Sequence, residues 1–205
     1  MLIKVCGNLS LVNSIEVAFT GIDLMGFINI GVSPRHIGVD QARNIINELP
    51  ASVKTVLVVA DKDLNELISI VKAEIFDYIQ LHGNESLTYI ESLKKYNAKI
   101  IKAFKVYDVF PEENISQYTK KVDYILLDTY NKDKLGGTGE KFNWDILTGK
   151  DLSKVIVAGG VDVGDIEKLK QLGVAGIDVN SKVELAPGKK DIGKIEKIVR
   201  LIKGE

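Results

Sequence analysis

Soft metal ligands and disulfide partners are nearly missing from this sequence, which has one cysteine and two histidines among its 205 residues. A lone cysteine excludes an intramolecular disulfide framework. Cys6, His36 and His82 stand far apart with no metal-type spacing, so no structural zinc site and no other metal is expected. An excess of charge is missing too: the formal net charge is -1, which gives no electrostatic reason to expect nucleic acid or an anionic membrane surface as a partner. No apolar run is long enough to span a bilayer, and no basic start followed by an apolar stretch marks a signal peptide. The expectation is a cytoplasmic protein with a small-molecule ligand.

What is present is an ordinary globular composition and enough length for one substantial core, so residues 1–205 are expected to form a single domain. The stretch from Tyr124 to Trp144 organises the rest. Tyr124 to Leu127 read as a strand buried on both faces, the pattern of a parallel sheet covered by helices. Asp128 ends that strand, where a carboxylate is partly desolvated and can be tuned for acid or base work. Gly136, Gly137, Thr138 and Gly139 follow, a loop able to approach a ligand closely.

Seven further strands are expected, at Leu2–Cys6, Asp23–Ile28, Thr55–Val59, Asp77–Leu81, Lys99–Ala103, Val155–Ala158 and Ala175–Val179. Helical spacing falls between them: Leu11 to Phe19, Gln41–Leu49, Asp61–Ala73 with Asp61 as N-cap, Leu87–Tyr96, Pro111–Tyr118, a segment starting at Trp144, and Gly193–Ile202. Eight strands alternating with helices point to an α/β fold, a single (β/α)8 TIM barrel, over a doubly wound open sheet. Pro187 to Asp191 reads as a structural connection.

Alternation along the first strand puts Lys4 and Cys6 on one face. A buried lysine is costly unless paired, and Asp178, pointing inward from the eighth strand, is the expected partner. Lys4 in turn is expected to favour the Cys6 thiolate, the form that accepts a proton. Gln80 and His82 face the same way at the end of the fourth strand. Arg35, in the loop after the second, has a plain surface role as its bland reading, but a planar guanidinium at a strand end is a good clamp for a substrate carboxylate. Gly159–Gly160 and Asn180–Ser181, after the last two strands, stand where barrels commonly bind phosphate.

In this order the motifs resemble the phosphoribosylanthranilate isomerase family of tryptophan biosynthesis nearly end to end. The matching pieces are Lys4-Val5-Cys6-Gly7, Gly26-Phe27, Ser33-Pro34-Arg35, Gln80-Leu81-His82-Gly83, Leu126-Leu127-Asp128-Thr129, Gly136-Gly137-Thr138-Gly139, Gly159-Gly160, Asp178-Val179 and Pro187-Gly188-Lys189-Lys190-Asp191. The pattern departs at Asn8-Leu9, at Gly31 and at Asn180-Ser181-Lys182. The resemblance implies an Amadori rearrangement without metal or organic cofactor, with Asp128 as general acid and Cys6 as general base. It further implies Lys4, Arg35, Gln80, His82, Gly137 and Asp178 around the substrate, and Gly159, Gly160, Asn180 and Ser181 at its phosphate. The protein would be a monomer or a homodimer. Two other functions are weighed beside this one: the related phosphosugar isomerase of histidine biosynthesis, expected to carry an aspartate in place of Cys6, and a phosphate-ligand binding barrel without catalysis.

Overall fold

The computed structural model describes residues 1–107, 109–129 and 141–204. Eight parallel strands close on themselves in chain order: β1 (Leu2–Val5), β2 (Leu24–Ile28), β3 (Lys54–Val59), β4 (Tyr78–Leu81), β5 (Ile100–Val106), β6 (Tyr124–Thr129), β7 (Val155–Val157) and β8 (Gly176–Val179). Helices α1 (Leu11–Phe19), α2 (Val39–Ile46), α3 (Leu64–Lys72), α4 (Leu87–Lys94) and α5 (Glu112–Thr119) follow the first five strands in turn. A 3-10 turn at Trp144–Leu147 lies between β6 and β7, α6 (Ile166–Leu172) between β7 and β8, and α7 (Ile192–Lys203) closes the layer. The expected (β/α)8 barrel is therefore the fold. No helix among the described residues is long and apolar enough to cross a membrane.

Two apolar layers follow from strand alternation. Leu24, Ile28, Val56, Val58, Ile101, Ala103, Leu126 and Ile156 fill the barrel, while Ile3, Val5, Met25, Phe27, Leu57 and Leu127 pack outward against the helices. Trp144 is buried in that outer layer. Closure between β1 and β8 sets Leu2 beside Gly176 and Lys4 beside Asp178. A Cβ on Gly176 would stand 2.9 Å from the Leu2 Cβ, so the seam needs glycine there.

Three expectations give way. Asp61 does not cap α3. Asp63 does, its Oδ1 accepting from the backbone N–H of Asn65 and Glu66 at 2.9 and 3.0 Å. Asp61 instead takes a left-handed conformation (φ 48°) and accepts the Asn84 N–H at 2.6 Å, tying the β3 loop to the β4 loop. A Cβ on Gly83 would lie 2.5 Å from the Asp61 carboxyl, which is why the motif ends in glycine. Second, β5 continues to Val106, and its Lys102 is buried with Nζ donating to the carbonyls of Leu81 (3.3 Å) and Gly83 (2.6 Å) and to Glu85 (2.9 Å). That lysine staples the backbone on either side of His82. Third, the segment around Pro187 is not a plain connection. β9 (Glu184–Ala186) and β10 (Lys189–Lys190) form an antiparallel ribbon that turns Glu184 and Lys190 toward the barrel mouth.

Candidate active site

The C-terminal ends of the strands carry two groups of polar side chains, joined by Asp178. The first group starts at β1. The Lys4 ammonium, fully buried, donates to Asp178 Oδ2 at 2.7 Å, so the partnership expected from strand alternation is present. Lys4 also acts on the Cys6 sulfur, where its positive charge favours the thiolate. Burial opposes the charge on Lys4, but Asp178 and Cys6 outweigh it and hold its pKa above the ordinary lysine value. Burial raises the Asp178 carboxyl against the pull of Lys4, and Asp178 also feels Asp128 and His82. The pair is charged: Lys4 donates at short range to the carboxylate, and Asp178 and Cys6 together favour the ammonium.

Cys6 departs from expectation. Its thiol is raised, not lowered: burial dominates, Asp178 adds to it, and Lys4 and Lys190 only partly oppose them. With the residue 4% exposed and much of the Lys4 charge matched by Asp178, the solvent that would stabilise a thiolate is missing. Gly26 on β2 creates the room for this pair, since a Cβ there would stand 2.7 Å from Cys6 Sγ and 3.1 Å from Lys4 Nζ. Gly26→Ala should therefore displace both groups and cost about 1–3 kcal/mol of stability from overpacking. Thermal melts and turnover measured together check this; a variant unchanged in both would mean that Cys6 and Lys4 do not fill that space.

The second group lies across the mouth. Gln80 Nε2 is 3.1 Å from His82 Nδ1, and His82 Nε2 is 3.2 Å from Asp128 Oδ2. His82 and Asp128 are each about a quarter to a fifth exposed, so this pair faces open space while Cys6 and Lys4 lie deeper. Two buried oxygens, Gln80 Oε1 and Asp178 Oδ1, have no hydrogen-bond partner among the described residues. Buried acceptors without a partner are costly unless something bound there donates to them.

Arg35 lies over Gly7, whose φ of 77° is natural for glycine and whose Cβ would stand 2.7 Å from Arg35 Cδ and 3.0 Å from Asn180 Oδ1. Its guanidinium is not free: Nη2 and Nε donate to Glu184 at 2.6 and 2.9 Å. These bonds raise Arg35 above its ordinary pKa, and Arg35 with Lys190 holds the Glu184 carboxyl below its own despite burial. Lys190 Nζ, with no exposed side-chain surface, donates to Glu184 Oε1 at 2.7 Å and Asn180 Oδ1 at 2.9 Å. Burial, ahead of the opposing Glu184 contact, lowers the Lys190 pKa. Gly159 and Gly160, both left-handed (φ 81° and 70°), turn beside Thr129 at the end of β6. Ser181 opens a 3-10 turn that ends at Val183.

The structure thus brings Lys4, Cys6 and Asp178 together, joins Gln80, His82 and Asp128, and links Arg35 to Asn180 through Glu184 and Lys190. Gly137, with its neighbours Gly136, Thr138 and Gly139, lies outside the described residues. Glu184, Lys190 and Lys102 were missed by sequence reasoning. Among the described residues no group of three or more His, Cys, Asp or Glu side chains is gathered as a metal ion would require.

Comparison with known proteins addresses identity. The profile of the N-(5'phosphoribosyl)anthranilate (PRA) isomerase family matches residues 3–201. N-(5'-phosphoribosyl)anthranilate isomerase of Petrotoga mobilis is 40% identical over 199 residues, covering 96% of this chain and 94% of the relative. The enzyme of the same name from Nostoc punctiforme is 36% identical over 202 residues, covering 97% and 96%. Among solved structures, phosphoribosyl anthranilate isomerase from Thermotoga maritima superposes with a TM-score of 0.87 at 26% identity, each chain covered in full. The Thermus thermophilus enzyme gives 0.86 at 26% identity, covering 100% of this chain and 99% of the other. With its barrel fold shared and nearly its whole length matched, the chain belongs to the N-(5'-phosphoribosyl)anthranilate isomerase family.

Proposed function

We propose that Asp128 and Cys6 carry the family's reaction in this chain, the isomerisation of N-(5-phosphoribosyl)anthranilate to 1-(2-carboxyphenylamino)-1-deoxyribulose 5-phosphate in tryptophan biosynthesis. The observation that carries this reading is the arrangement of the mouth, where Asp178 feels both Lys4 beside Cys6 and the His82–Asp128 pair. Asp128 protonates the ribose ring oxygen, the C1–O bond breaks, and the nitrogen lone pair forms the C1=N Schiff base. Cys6, as thiolate, then removes the C2 proton, and the C–H electrons form the C1=C2 bond of an enolamine. Tautomerisation moves a proton from the C2 hydroxyl to C1 and leaves the ketone. Exchange of the proton gained by Cys6 for the one lost by Asp128 restores the starting site.

Orientation comes from the two ends of the substrate. Arg35 faces the anthranilate carboxylate, and Gly159, Gly160, Asn180 and Ser181 hold the phosphate. Lys190 supports this, because it donates to Asn180 Oδ1 and so fixes which end of that amide is left to donate to phosphate. Lys4, Gln80, His82 and Asp178 line the ribose between these anchors, and the unpaired oxygen of Asp178 suits a hydroxyl donor.

The test is a fluorescence time course with phosphoribosylanthranilate generated in place. Purified protein should remove substrate fluorescence at a rate proportional to its concentration. A folded protein that binds the reduced product but leaves the fluorescence at background would sink the reading.

A further inference from the structure

Arg35 is the side chain assigned above to the substrate carboxylate, yet in this structure it already holds one. A guanidinium presents two in-plane edges that fit a carboxylate, Nε with Nη2 and Nη1 with Nη2. Glu184 occupies the first, at 2.9 Å to Nε and 2.6 Å to Nη2. Nη1 has no partner among the described residues, and the second edge is the one left. Glu184 is itself immobilised: its side chain is 4% exposed and also accepts from Lys190 Nζ at 2.7 Å and from the Gly188 N–H at 3.0 Å.

We propose that Glu184 is a positioning residue for substrate selection: by clamping one edge of Arg35 it fixes the plane and direction of the other, which takes the aromatic carboxylate of the substrate. Three features on three segments support this. Gly7 lacks the side chain that would collide with Arg35 Cδ, so the arginine stem can pass close over the loop after β1. The β9–β10 register pairs Glu184 with Lys190, bringing a second cation to the same carboxylate. Two cations against one carboxylate leave the trio one positive charge in excess, so an incoming anion is attracted and not repelled by Glu184. Without Glu184, Arg35 would keep its charge but sample several rotamers, and the cost of ordering it would fall on binding.

The inference rests on the carboxylate reading of Arg35, and the test separates the two. Two probes are compared: the reduced product 1-(2-carboxyphenylamino)-1-deoxyribitol 5-phosphate and its analogue lacking the ring carboxylate. Wild type should prefer the first, and Arg35→Met should abolish the preference. Glu184→Gln should cut the preference about tenfold, the equivalent of one well-made charge-assisted hydrogen bond, with the carboxylate-free probe bound as in wild type. Glu184→Asp, which keeps the charge but not the reach, should fall between them and carries the test if the glutamine variant does not fold. An undiminished preference in both Glu184 variants would overturn the proposal. Equal weakening of both probes would also overturn it, and would make Glu184 a structural brace of the ribbon. No preference in the wild type would overturn the Arg35 reading itself, and the inference with it.

Discussion

Asp128→Asn should lower turnover by about 10³-fold or more, within the range lost when a positioned general acid is removed, while the reduced product still binds. Asparagine keeps the size of the side chain and can still meet His82 Nε2, 3.2 Å away in the wild type, so the geometry of the mouth is retained. Only the exchangeable proton is lost. As placed, Gln80 Nε2 donates to His82 Nδ1, so His82 Nε2 carries the hydrogen and Asp128 accepts it. Turning the Gln80 amide would present Oε1, at present unpartnered, to an Nδ1–H and leave Nε2 to accept from a protonated Asp128. The acid form thus has a matching arrangement of its neighbours without moving the backbone. Single-turnover kinetics beside direct binding of the reduced product separate the two effects. A variant within about tenfold of wild-type turnover would assign the proton to another group.

The parts of the site written in strands were legible in the sequence, because alternation fixes which side chains share a face and burial makes an unpaired lysine costly. Lys4 opposite Asp178 is the clearest case. Asp128 at the end of β6 and His82 beside Gln80 follow the same logic. Residues in the loops were less legible, since their partners are chosen by tertiary contacts. Asp61 and Asp63 are equally good caps by type, and only the fold shows Asp61 reaching Asn84. Lys102 falls on the expected fifth strand, but its partner Glu85 sits in the loop after β4, a pairing that alternation alone does not reveal. Glu184 and Lys190 flank a Pro-Gly turn, which as an antiparallel ribbon puts them side by side; a hairpin reading of that turn would have found the pair. The thiolate expectation for Cys6 failed for a related reason. Lys4 was visible two residues away, but the burial of the sulfur and the matching of the cation by Asp178 are properties of the closed barrel.

That failure sharpens what is expected of the base. Cys6→Ala should lower turnover by about 10³-fold, as for loss of a general base, with the reduced product still bound, since neither anchor is touched. The thiol itself can be titrated through its thiolate ultraviolet absorbance, taken as wild type minus Cys6→Ser. The midpoint should lie above the ordinary cysteine value, because burial outweighs Lys4. Two substitutions should move it in opposite directions. Lys4→Met removes the strongest opposing charge and should raise it further, even if Asp178 becomes neutral, because Lys4 acts on the sulfur more strongly than Asp178 does. Asp178→Asn removes a negative charge and frees Lys4 for the sulfur, so the midpoint should fall. The linkage carries the same sign: the unfolded thiol ionises first, so the Cys6 contribution to stability declines as pH rises from the unfolded pKa through the folded one. A midpoint below the ordinary value, or shifts of reversed sign, would mean that charge and not desolvation governs the sulfur. A raised pKa also has a chemical consequence. The thiolate is scarce in the free site, but each one formed is a stronger base toward C2, and formation of the cationic Schiff base beside it would favour that ionised form at the step that uses it.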